Sequence, residues 1–165
     1  MAFLLRGIGN KAWWDKSRDD FSWLGEDELI ADVLKSLGTV DGALSTYIID
    51  DEKTKVDRVI AALASRRTKI ENFDYMLVPI DVVLKNFRSD DTKGKTPDFK
   101  VNEWHLDIVH LTPAKLVQLA YILCNHKESL SRMLKPEVKS ALQTGKDKGY
   151  LDMSKVSEKV KLELA

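Results

Sequence analysis

The stretch ALSTYIIDDEKTKVDRVIAALASRRTKIENFDYMLV, residues 43–78, decides the fold. Its first eight residues, ALSTYIID, are rich in β-branched and aromatic types that suit a pleated, half-buried strand. Thr54 and Asp57 form a capping box ahead of Val56, Val59, Ile60 and Leu63, and that spacing predicts an amphipathic helix to about Ser65. FDYMLV (73–78) reads as a second strand. Strand, helix and strand in this order predict a βαβ unit.

On the N-terminal side, FLLRGI (3–8) supplies another strand, and EDELIADVLKSL (26–37) supplies a helix. Acids fill the first turn of that helix, Lys35 lies in its last turn, and Gly38 follows as the C′ residue. On the C-terminal side, Pro79 cannot donate to a sheet, so a central strand should not run through it. A short helix is expected over 79–87 and a polar loop over 87–100, FRSDDTKGKTPDFK. A third strand follows at about 102–110, then a helix opened by Thr112 and Pro113 and running to about Asn125. Further helices are expected in KESLSRML, in EVKSALQT up to Gly145, and over 153–164.

These elements predict one domain over 1–165 of α+β class. Its expected core is a small mixed sheet of three to five strands, packed with five or six helices, and a helix-rich C-terminus. A three-layer α/β arrangement is the alternative. Hydrophobic residues at 44% and charged residues at 32% place the chain among globular rather than disordered proteins. No apolar run approaches the ~20 residues of a membrane helix, and the apolar start is too short for a signal peptide. One cysteine, Cys124, excludes an internal disulfide framework and a thiolate zinc cluster, and the expected setting is reduced and cytoplasmic.

The net charge is zero but unevenly spread. Residues 1–52 carry five Lys/Arg against eleven Asp/Glu, and 53–165 carry twenty-one against fifteen. Such polarity suits a protein partner or a homodimer; with no basic excess and no reading motif, neither nucleic acid nor membrane is expected as a partner.

Chemistry concentrates first in NEWHLDIVHLTP, residues 102–113. Strand alternation puts Glu103, His105 and Asp107 on one face, and Trp104, Leu106, Ile108 and His110 on the other. His105 and Asp107 form half of a two-His-one-carboxylate metal site, for which only His126 could supply the second histidine. The helix carrying His126 should cover the apolar face, away from His105 and Asp107. Asp50 and Asp51, ending the strand at 43–50, are a second carboxylate pair able to hold a divalent cation. Their setting resembles the opening of response-regulator receiver domains, but Val78 and Pro79 stand where the phosphate-accepting aspartate belongs, which excludes that family. Cys124 lies near a helix C-terminus, where the dipole opposes a thiolate. GIGNK (7–11) and KGKT (93–96) lack the glycines of nucleotide loops, so no cofactor is expected.

Trp13, Trp14 and Trp23 crowd the first 23 residues, and adjacent Trp13 and Trp14 cannot both face one core from an extended segment. They are the candidate partner-binding residues. The expected function is a non-enzymatic intracellular interaction module of the accessory, adaptor or inhibitor and immunity type. A small divalent-cation-dependent enzyme using Asp50/Asp51 or His105/Asp107 is the alternative.

Overall fold

The computed structural model describes residues 2–8, 31–50, 53–126 and 130–165. Six strands form one sheet: β1 (Phe3–Ile8), β2 (Leu44–Ile49), β3 (Phe73–Pro79), β4 (Arg88–Asp90), β5 (His105–Val109) and β6 (Leu130–Met133). Their order across the sheet is β4-β5-β2-β1-β3-β6, and every neighbouring pair is antiparallel. The expected mixed sheet of three to five strands is therefore corrected to six antiparallel strands. β1 inserts between β2 and β3, so these two run parallel to each other without pairing, and the strand–helix–strand of 43–78 straddles a central strand.

The strand that does this is buried on both faces. Leu4 and Ile8 point to one side and Leu5, with no exposed surface, to the other. Truncating such a leucine to alanine typically costs about 2–5 kcal/mol. Arg6 reaches from β1 to the carbonyls of Ser45 (2.9 Å) and Leu37, placing a cation on the last carbonyl of the helix that ends there.

Seven α-helices lie among the described residues, where five or six were expected: α1 (Ala31–Leu37), α2 (Lys53–Ala64), α3 (Ile80–Leu84), α4 (Phe99–Asn102), α5 (Pro113–Cys124), α6 (Lys135–Asp147) and α7 (Glu158–Glu163). They cover both faces of the sheet. α1, α3 and α5 pack over Leu4, Leu44, Met76, Leu106 and Ile108. α2, α4, α6 and α7 pack over Leu5, Tyr47, Ile49, Phe73 and Met133.

Several expectations shift for local reasons. Leu130–Met133, within the stretch read as helical, is strand β6, because pairing with β3 (Phe73↔Met133, Met76↔Leu130) overrides the helical spacing of its residues. Pro79 ends β3 opposite Phe3, at the terminal position where its missing N–H is tolerated, and Ile80 N–H then donates to the Ala2 carbonyl (3.1 Å). The polar loop shrinks to 91–98: Arg88–Asp90 pair with β5, and Asp98 caps α4 through Lys100 N–H (2.8 Å) and Val101 N–H (3.2 Å). The strand expected from 102 starts at His105, because Val101 and Asn102 belong to α4. α6 runs through Gly145 to Asp147 with Pro136 in its first turn, and 153–164 divides into a 3-10 turn at Met153–Lys155 and α7. α5 begins as expected, with Thr112 Oγ1 accepting from Lys115 N–H at 3.3 Å. α2 begins at Lys53, so Thr54 falls within its first turn rather than ahead of it; the Thr54 side chain lies outside the described residues.

Candidate functional site

On the face of α2 and α6, a cleft of about 690 Å³ opens between these helices and the turn that leads from α4 into β5. That volume lies within the range of ordinary ligand pockets. Its focus is Arg58, which projects from α2 toward Asp98. The guanidinium meets the carboxylate in two parallel hydrogen bonds, Nε to Oδ2 at 2.5 Å and Nη2 to Oδ1 at 2.9 Å. The Asp98 side chain is 1% exposed and also caps α4, so its oxygens are fully engaged from both sides.

Two aromatic rings hold Arg58 from the flanks. Its guanidinium carbon lies 3.9 Å from the Tyr150 ring centre and 5.7 Å from that of Trp104. A cation over an aromatic face contributes about 0.5–2 kcal/mol, more as water is excluded. Lys55 Nζ sits 5.1 Å over Trp104, and Lys148 Nζ 5.9 Å from the Tyr150 ring. Three cations thus surround two rings at one end of the cleft.

The helix ends explain this placement. Gly149 adopts φ +66°, the left-handed conformation that turns the chain back after α6. Tyr150 N–H and Leu151 N–H then donate to the Gly145 carbonyl at 2.8 and 3.2 Å, which sets Tyr150 over Arg58. Gly145 leaves room for Leu151: a Cβ there would stand 2.9 Å from the Leu151 side chain.

The other end of the cleft is acidic. Asp57 on α2 and Glu137 on α6 both line it. Partial desolvation against the cleft wall, then the nearby Glu137 carboxylate, push the Asp57 carboxyl above its ordinary value. Glu137 accepts a hydrogen bond from Leu134 N–H (2.7 Å) at the start of α6.

The residues singled out in the sequence lie elsewhere. His105 and Asp107 share one face of β5 with Tyr47 opposite, whereas Leu106 and Ile108 face α5. Trp104 does not join that apolar face; it precedes the strand and packs toward α2. Thr92 covers His105 and Asp107. Its hydroxyl donates to Asp107 Oδ2 (2.7 Å) and has no second proton, so it accepts from His105 Nδ1–H at 2.8 Å. The Thr92 carbonyl, 3.2 Å from the same nitrogen, agrees with that tautomer. His105 Nε2 lies 3.6 Å from Asp107 Oδ1.

His110, exposed with φ 58°, is separate from this pair, and His126 follows α5 on the opposite side of the sheet. Asp50 forms an ion pair with Lys55. Among the described residues, no three His, Cys, Asp or Glu side chains gather as metal ligands. Asp51, Trp13, Trp14 and Trp23 lie outside the described residues. Burial pushes the Cys124 thiol up to about 12.

The cleft itself escapes local sequence patterns because Arg58 and Asp98 are 40 positions apart. Only the start of α4, Asp98 after Thr96 and Pro97, carries a readable helix-cap signal. Among the described residues, no helix is long and apolar enough to cross a membrane. No protein-family model, curated protein or solved structure matches this chain.

Proposed function

We propose that this chain is a non-enzymatic protein-interaction module of the cytoplasm, of accessory, adaptor or inhibitor type, and that the cleft between α2 and α6 receives a segment of its partner. The observation that carries this reading is the fixed guanidinium of Arg58. Asp98 binds its inner edge, Trp104 and Tyr150 flank it, and its Nη1 N–H groups have no hydrogen-bond acceptor among the described residues. An arginine ordered before the ligand arrives loses little side-chain entropy on binding, and Arg, Tyr and Trp dominate binding hot spots.

Cation-dependent catalysis at Asp50 or at His105 and Asp107 has less support, since Lys55 pairs with Asp50 and Thr92 engages the other two. The test is affinity capture from the native cells with wild type beside the double variant Tyr150→Ala/Lys148→Glu, with folding verified by circular dichroism. Both side chains lie at the cleft surface, so the fold should persist. A protein retained by wild type and reduced at least tenfold with the variant supports the reading. Identical captures place the partner elsewhere and overturn it.

A further inference from the structure

We infer that the cleft reads charge of both signs: it takes an extended peptide segment with a carboxylate against Arg58 and Lys148 and a cation against Asp57 and Glu137. This rests on the binding-module reading above. After internal pairing, Lys55 answers Asp50 and part of Arg58 answers Asp98. What remains is the outer edge of Arg58 and the Lys148 ammonium at one end, and the carboxylates of Asp57 and Glu137 at the other. None of these last three forms an ion pair among the described residues. A purely acidic ligand would meet Asp57 and Glu137, and a purely basic one Arg58 and Lys148; like charges in contact across an interface are costly.

The spacing favours a peptide over a small zwitterion. Along α6, Glu137 in the first turn and Lys148 at the C-terminal cap are about 16 Å apart at 1.5 Å rise per residue, whereas on α2 Asp57 and Arg58 are consecutive. An extended chain spans that distance with about five residues at 3.3 Å each. Between the poles, Ser140 and Thr144 line the α6 wall with hydroxyls that can bond a peptide backbone, while Ala61 and Ala141 keep the walls low.

The experiment is amide and indole NMR of the ¹⁵N-labelled full chain, titrated with end-capped peptides that differ at two positions about five residues apart. Glutamate and lysine occupy those positions in both orders, and glutamine pairs, glutamate pairs and lysine pairs are the controls. One mixed order should shift the Trp104 indole and Thr144 amide signals at a midpoint at least tenfold lower than the glutamine peptide, and Lys148→Glu should remove that advantage. Equal midpoints for the mixed and glutamine peptides would overturn the inference and leave the module reading standing. Tighter binding of the glutamate pair or the lysine pair would also overturn it. If no peptide moves a cleft signal, the inference and the reading beneath it both fall.

Discussion

Arg58 and Asp98 face each other across the floor of the cleft in a two-bonded ion pair, one partner a quarter exposed and the other buried. Removing one side of such a pair strands the other charge, which costs about 3–5 kcal/mol. Without Arg58, Asp98 still caps α4, but its carboxylate is buried with no cation against it. Urea unfolding should therefore show a loss of about 3 kcal/mol or more for Arg58→Ala. A loss under about 1 kcal/mol would mean that the pair adds nothing net, as exposed pairs often do.

Burial of Tyr47 makes the stability of the fold sensitive to high pH. Burial is the largest cause of the shift, and it pushes the phenol from its ordinary value near 10 up to about 12. The unfolded chain thus releases this proton first, so the stability linked to Tyr47 is complete below about pH 10 and is lost as pH rises toward 12. At about 1.4 kcal/mol per pH unit, the loss reaches about 2–3 kcal/mol. Chemical unfolding at pH 8 and pH 11 should show a steeper decline for wild type than for Tyr47→Phe. Equal declines would contradict this.

Cys124 should be inert while the chain is folded. It is 2% exposed, and its thiol is pushed up to about 12, so almost no thiolate exists at pH 8. Disulfide-exchange reagents should modify it no faster than the protein unfolds. Prompt labelling in native buffer would show that the α5 terminus opens locally.

Metals give the sharpest contrast with an enzymatic reading. A ion that binds only the folded state at a hundredfold excess over its dissociation constant stabilises by about 2.7 kcal/mol. Mg²⁺, Mn²⁺, Zn²⁺ and Fe²⁺ should each move the thermal midpoint by less than about 2 °C, under 1 kcal/mol for a chain of this size. A rise of several degrees that Asp107→Ala abolishes would put the alternative, cation-dependent catalysis at β5, ahead of the interaction reading.

Much of this fold is legible locally. Val56, Val59, Ile60 and Leu63 mark α2, and Thr112 with Pro113 marks the start of α5. Alternation along β5 sorts His105 and Asp107 from Leu106 and Ile108. The sheet order is not legible, because β4 and β6 have three and four residues, too few to display a period, and acquire strand character only by pairing. The cleft is hidden for a related reason. Trp104 reads as core by alternation, yet α4 displaces it from the strand and aims it at α2. Tyr150 takes its place only because Gly149 reverses the chain.

The most direct measurement is site-specific photocrosslinking in the native cells, with Tyr150→benzoylphenylalanine beside Val40→benzoylphenylalanine as the control. Val40 is 72% exposed on the turn ahead of β2, outside the cleft, whereas Tyr150 lies on the cleft wall. A protein adduct formed from position 150 and absent from position 40 is the result this account predicts. An adduct from position 40 alone, or from neither, would contradict it.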